Sequence, residues 1–446
     1  MRNWILLCGL LSTQANAQEQ ERFISKPIRQ TQTIECADHD PERHELKHAL
    51  HIADSLGIST KYKHQNKAIL KFSWPLKWVN QTPGNSFYSL SNYFENDPTG
   101  LVRDYNCGKR SYNGHKGTDI YPWPGWWLSM DNQEVDVVAA AGGRIITKLD
   151  GNYDRNCTMG NQNWNAIYLE HPGGGVTWYG HLKKSSLTGK GLGDSISEGE
   201  FLGKVGSSGR STGPHLHFEV YESGIVIDPY AGACNSGMAS RWKNQHSYYN
   251  QALIRSFCTS GEPIFPPCPQ QENLKKDSIY AQGDSIYLTN YYRDLKNGDT
   301  TILLLRNPMG VIIDSLFTIH NISPDVFYDA GGWLWKRKLG PTASDGIYAF
   351  ESKYRGNTLI SRFIYAIPTS INAQEKRNTS VVYELDFLKV RGFSEFEYPT
   401  IFDLTGRQIK VTTEWEGEYW KIGRLPFSGV YLLYLKGKKA FLISKK

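Results

Sequence analysis

The chain has 446 residues, with 50 Lys and Arg against 44 Asp and Glu and a formal charge of +6. It contains no basic run and no interleaving of basic with aromatic residues, so a nucleic-acid partner is not expected. No apolar stretch is long enough to cross a bilayer, so the mature protein is expected to be soluble, not transmembrane. The mild positive charge suits an anionic polymer such as a cell wall and is equally ordinary for an exported protein.

Residues 1–17 read as a secretory signal. Arg2 precedes a short apolar run through Leu10 and Leu11, and Ala15-Asn16-Ala17 offers a small-x-small cleavage site. Export places the chain at the cell surface, outside the cell or in the periplasm. Once Cys8 is removed, Cys36, Cys107, Cys157, Cys234, Cys258 and Cys268 remain. An even count in an exported chain points to disulfides, with connectivity open. Cys107 with Cys157, which flank residues 115–119, and Cys258 with Cys268, which lie close along the chain, are the pairings suggested.

Residues 18–100 form a lead-in segment, polar and loose over 18–35. A helix is expected after Pro41, with Leu46, Leu50, Ala53 and Leu56 on its buried face. It contains His44-Glu45-x-x-His48, a zinc-protease motif. Arg43 and Lys47 give that motif charged surroundings, however, and the plain reading is an amphipathic helix. Residues 68–76 turn to strand character. This segment either lines a substrate groove or covers a site.

Residues 101–235 read as all-β, with short strands at 135–141, 143–149, 166–170, 176–181, 201–205 and 216–220 punctuated by glycine. Three stretches here carry chemistry. The first is His115-Lys116-Gly117-Thr118-Asp119, expected as a loop running into a strand. The second is Trp178-Tyr179-Gly180-His181-Leu182. The third is Gly213-Pro214-His215-Leu216-His217-Phe218-Glu219, reached through a Gly-Ser-rich approach from Gly203. On a strand His215 and His217 face the same way, so two imidazoles reach one small volume. Two nitrogens and a carboxylate leave a fourth tetrahedral position open, as a catalytic zinc needs. Trp123, Trp126 and Trp127 either wall the groove or pack as an aromatic cluster.

The order of these three stretches resembles the lysostaphin-type (LytM-like) zinc endopeptidases over roughly residues 100–235. The resemblance implies an antiparallel sheet with the metal in a groove. It implies one Zn2+ held by His115, Asp119 and His217, with His181 and His215 as the catalytic pair that does not bind metal. It implies hydrolysis of peptide bonds in bacterial peptidoglycan cross-links or Gly-rich peptides. A non-catalytic wall-binding or regulatory protein of the same type is the alternative, although no position of the ligand pattern is missing. The stretches from Val137 and from Glu198 also look like the half-hairpins of biotinyl- or lipoyl-carrier domains. A carrier needs a modifiable lysine at a hairpin tip and has no use for five clustered metal-type side chains.

Residues 236–270 connect, with the stiff Pro263-Ile-Phe-Pro-Pro-Cys-Pro269 near their end. Short strands over 271–370 suggest an immunoglobulin-like β-sandwich. A linker follows at 371–380, then a small β-domain over 381–446. That tail is similar to the C-terminal sorting domains of type IX secretion, its nearest approach to the usual Tyr-Pro-Asn-Pro opening being Tyr398-Pro399-Thr400. The similarity implies outer-membrane secretion machinery as a partner.

Overall fold

The computed structural model describes residues 24–29, 42–55, 57, 69–79, 86–366, 380–383, 387–391, 399–403, 408–416, 419–423, 429–435 and 438–445. The signal-like residues 1–17, Cys8, Cys36, the side chain of His44 and Tyr398 lie outside them. Strands dominate, as the glycine-punctuated runs of β-branched and aromatic residues predict.

The first domain is built on an eight-stranded sheet. Its path runs Tyr88–Leu90, Thr118–Pro122, Leu216–Glu222, Val176–Gly180, Ala166–Glu170, Gly143–Leu149 and Ser195–Ile196, and Ile225–Ile227 also pairs with Leu216–Glu222. A three-stranded sheet of Phe201–Lys204, Val135–Val138 and Leu76–Trp78 packs against it. The shared core takes Leu216, Phe218 and Val220 from one sheet and Leu76, Val137 and Leu202 from the other. Because side chains alternate along a strand, His217, Glu219 and Tyr221 must then lie on the opposite face. Residues 69–90, expected as a lead-in, thus supply strands to both sheets.

The Glu42–Ser55 helix packs on that second face. Ala49 and Ala53 are buried against Tyr168, Trp178 and Tyr221, with Leu50 alongside. His48 is exposed, so the helix uses its small apolar side for packing and turns His48 to water.

Two further sheets enclose a second core. One contains Ile24–Arg29, Phe327–Lys338, Ser285–Lys296 and Ala252–Thr259. The other contains Ile279–Ala281, Asn357–Ala366, Gly346–Tyr354, Thr300–Arg306 and Ile312–Ile319. Leu288, Trp335 and Leu253 from the first meet Leu305, Phe350 and Phe363 from the second, which makes a β-sandwich. The expectation of a loose 18–35 needs correction, because Ile24–Arg29 is an edge strand paired antiparallel with Phe327–Lys338. Main-chain hydrogen bonds hold it there, so it needs no apolar run, and Pro27 is tolerated at an edge. Beyond residue 380 two small four-stranded antiparallel sheets follow.

The disulfides also differ from the pairings suggested by the sequence. Cys107 bonds Cys234, and Cys157 bonds Cys268. Cys234 N–H donates to the Tyr105 carbonyl at 2.8 Å, which folds the chain after the last sheet strand back beside residue 107. Cys258 is a buried free thiol on the sandwich core, while Cys268 is taken by Cys157.

Two buried histidines, His171 and His320, and the half-buried His246 give a pH dependence. Burial pushes His171, His246 and His320 down to about 4 each. Their rings stay neutral in the fold, while the unfolded chain takes up protons below about 6.5. Stability is therefore full above about pH 6.5 and falls as pH drops toward 4, by up to roughly 3 kcal/mol for His171 alone. Melting temperature measured from pH 7.5 to 4.5 should show this fall. A flat profile would contradict burial of the neutral rings.

Candidate metal centre

Two sheet pairings assemble the site. Leu216–Glu222 runs antiparallel to Thr118–Pro122 with His217 opposite Asp119, and to Val176–Gly180 with His217 opposite Gly180. Asp119, His217 and Gly180 thus form one row across three strands. His115 precedes the first of these strands. Its own N–H donates to the Tyr112 carbonyl at 3.1 Å, a turn that brings its ring back over the row. His181 follows Gly180 with φ of 60°, in the left-handed region that a non-glycine residue seldom occupies. Such backbones persist where their surroundings dictate them, and here the turn delivers the ring to the row. Gly117 makes room for His217, because a Cβ on it would lie 2.5 Å from the imidazole.

His115 Nε2 lies 3.1 Å from Asp119 Oδ2 and 3.4 Å from His217 Nδ1, and His217 Nδ1 lies 2.8 Å from Asp119 Oδ1. With metal–ligand bonds of about 2.0–2.1 Å, the edges of a tetrahedron are about 3.3 Å, so the two ring nitrogens and the Asp119 carboxylate, each nitrogen near one of its two oxygens, have the spacing of one face of a zinc site. The remaining ring nitrogens are committed elsewhere. His115 Nδ1 donates to the Tyr93 carbonyl at 2.7 Å, and His217 Nε2 donates to Glu219 Oε1 at 2.7 Å. These bonds leave the lone pairs of His115 Nε2 and His217 Nδ1 facing each other beside a carboxylate. Such an arrangement calls for a shared cation, and outer hydrogen bonds of this kind orient metal-binding imidazoles. The donor set therefore fits zinc. Among the described residues, His115, Asp119 and His217 form one candidate metal group and His181, His215 and His217 another, with His217 common to both.

The Asp119 carboxylate lies among the His115, His217 and His215 rings. Asn92 Nδ2 also donates to Asp119 Oδ2 at 3.1 Å.

His181 and His215 sit side by side, with ring centroids 4.5 Å apart. His215 Nε2 is 3.6 Å from Asp119 Oδ1. Each donates its Nδ1–H to a backbone carbonyl, His181 to Ser208 at 2.6 Å and His215 to Gly213 at 2.7 Å. In both rings the other nitrogen, Nε2, is thereby the one able to accept or give a proton. All five residues picked out from the sequence converge here, and their side chains are 0–2% exposed.

Sequence reasoning missed three contributors. Glu219 orients His217 and itself accepts a hydrogen bond from Tyr221 at 2.5 Å. The alternation His215, His217, Glu219, Tyr221 on one strand face was the available signal. Tyr93 and Asn92 act from outside the expected domain, Tyr93 through its backbone, and no side-chain pattern announces that. Trp123, Trp126 and Trp127 are fully buried; Trp123 and Trp126 pack with Ile254, Leu274 and Tyr291 in a core cluster, and Trp127 lies under the Arg155 guanidinium.

Comparison with known proteins agrees with this geometry. Peptidoglycan DD-endopeptidase ShyC of Vibrio cholerae serotype O1 is 33% identical over 94 residues, 21% of this chain and 21% of that protein. DD-carboxypeptidase/endopeptidase Mpg of Neisseria meningitidis serogroup B is 35% identical over 99 residues, 22% of each chain. Lysostaphin of Staphylococcus simulans is 31% identical over 115 residues, 24% of this chain and 21% of that protein. The chain thus spans about a fifth of the length of these relatives. The model of Peptidase family M23 matches residues 114–229, a stretch that contains His115, Asp119, His181, His215 and His217.

Proposed function

We propose that the chain is an exported zinc metalloendopeptidase that cuts peptide bonds in bacterial peptidoglycan cross-links or in Gly-rich peptides. The observation that carries this reading is the convergence of two lone-pair nitrogens and the Asp119 carboxylate on one point, with two further imidazoles beside it. The similarity to a peptidoglycan DD-endopeptidase and to lysostaphin supports the substrate class. Export rests on the signal-like residues 1–17 and on the sorting-type tail.

His115, Asp119 and His217 would hold the ion. Zinc bound there would supply a Lewis acid and lower the pKa of a water toward ~7. His215, whose Nδ1–H is held by the Gly213 carbonyl, presents Nε2 and would take the proton of the attacking water and return it to the leaving amine. His181 Nε2, when protonated, donates to the oxygen that gains charge. The Ser208 and Gly213 carbonyls keep both rings from rotating. The non-catalytic alternative is disfavoured because no donor of the set is missing.

The test is hydrolysis of purified peptidoglycan and of a pentaglycine peptide by the purified chain. New amino groups should appear, vanish with a chelator and return with zinc. Because the site is buried, the same assay is run on the chain lacking residues 18–57. Zinc binding without cleavage in both forms would overturn the enzymatic reading.

A further inference from the structure

Residues 206–213 hold both non-ligand histidines, since His181 bonds the Ser208 carbonyl and His215 the Gly213 carbonyl. What fixes that loop is only partly local. Ser211 Oγ donates to the Gly213 carbonyl at 2.9 Å and lies 2.9 Å from Ser207 Oγ. Ser207 is tied to Asn156 twice, through Asn156 N–H to the Ser207 carbonyl at 3.0 Å and Ser207 Oγ to the Asn156 carbonyl at 2.8 Å. The next residue, Cys157, is bonded to Cys268, which lies beyond the matched 114–229. Cys268 Sγ lies 3.6 Å from the Thr212 carbonyl oxygen. Its neighbour Pro269 accepts from Arg155 Nη2 at 2.6 Å.

A second hold comes from the same downstream stretch. The buried Glu272 carboxylate accepts from Trp126 N–H at 3.1 Å, Trp127 N–H at 3.4 Å and Leu128 N–H at 2.9 Å. The Trp126 indole lies directly over Gly213, where a Cβ would come within 2.7 Å of it. Residues 268–272 therefore grip the histidine-bearing loop from both sides, through a disulfide and through a tryptophan.

We propose that the Cys157–Cys268 disulfide and Glu272 are positioning residues for His181 and His215. His115 and Asp119 lie elsewhere in the chain, and His217 is held inside the Leu216–Glu222 strand by pairing with Asp119 and Gly180 on its two sides, so the clamp acts on the paired histidines and not on the ion. This inference rests on the endopeptidase reading for its catalytic consequence, but not for its geometry. Placement errors of about 1 Å in such groups cost on the order of a hundredfold in rate.

The two disulfides make a matched comparison, because they close stretches of 111 and 127 residues and so constrain the unfolded chain almost equally. The full chain carrying Cys157→Ser with Cys268→Ser is set against the full chain carrying Cys107→Ser with Cys234→Ser. Both should melt earlier by similar amounts and both should bind zinc. Only the first should lose kcat, by about tenfold or more with KM little changed. Only the first should shift the ring 15N resonances of His181 and His215 away from the Nδ1–H tautomer. Equal kcat in the two variants, or unchanged ring resonances, overturns the proposal. Should the wild type cut nothing, the ring resonances decide alone, so failure of the enzymatic reading stays separate. Should the first variant not fold, Glu272→Ala replaces it, with loss of kcat at full zinc content expected and partial recovery in Glu272→Gln. No difference between Ala and wild type would overturn the clamp.

Discussion

His215→Ala is expected to keep about one zinc per chain and to lose about 10²–10⁴ in kcat, whereas His217→Ala is expected to lose both metal and activity. The difference follows from which atoms each ring presents. His217 Nδ1 lies within 3.4 Å of His115 Nε2 and 2.8 Å of Asp119 Oδ1, at the point where three donors converge. Its removal also leaves Glu219 without the N–H that its carboxylate accepts. His215 instead uses Nδ1 on the Gly213 carbonyl, which directs Nε2 toward the reacting groups. Deleting it removes a proton carrier and leaves the other three donors in place. Zinc content by atomic absorption and amino-group release, measured on one preparation, separate the two effects. Because His217 is common to both candidate groups, retained zinc in His217→Ala would place the metal outside both of them.

The site was legible because its chemistry lies in side chains at short, regular spacings. Period-two alternation put His215 and His217 on one face, and the glycines around them marked close approaches such as that of Gly117 to the His217 ring. The fold class was legible for the same reason, since strand-forming residues recur between turn residues. What could not be read was anything carried by the backbone or by distant chain. The Tyr93 carbonyl that fixes His115 is invisible as a residue type. Cys157 finds Cys268 across 111 residues because two domains meet there, and no local spacing encodes that meeting. The Ile24–Arg29 edge strand was read as loose because main-chain pairing carries no composition signal.

That meeting of domains contains a buried ion pair whose loss should be the largest single cost to stability. Arg110 Nη1 lies 3.0 Å from Asp294 Oδ1, with the side chains 5% and 0% exposed. Arg110 comes from the chain leading into the metal site and Asp294 from the Ser285–Lys296 strand of the sandwich. The guanidinium also donates to the Leu90 and Tyr248 carbonyls and lies over the Tyr93 and Phe327 rings at 5.2 and 5.0 Å. Burial raises the Asp294 carboxyl, and Arg110 and the Asn250 N–H offset part of that. Asp294→Ala would leave the arginine charged in a dry pocket, which costs about 3–5 kcal/mol. Paired replacement with Arg110→Met and Asp294→Leu removes both charges and should recover much of the loss, since an apolar pair avoids the desolvation of either ion. Urea unfolding of the single and double variants measures both values. A second consequence reaches the site. Tyr93 N–H donates to the Arg110 carbonyl at 2.7 Å, and the Tyr93 carbonyl receives His115. Loosening Arg110 should therefore weaken zinc binding in Asp294→Ala even below the unfolding transition. Unchanged zinc affinity in the folded variant would show that the Tyr93 carbonyl is held without help from the sandwich.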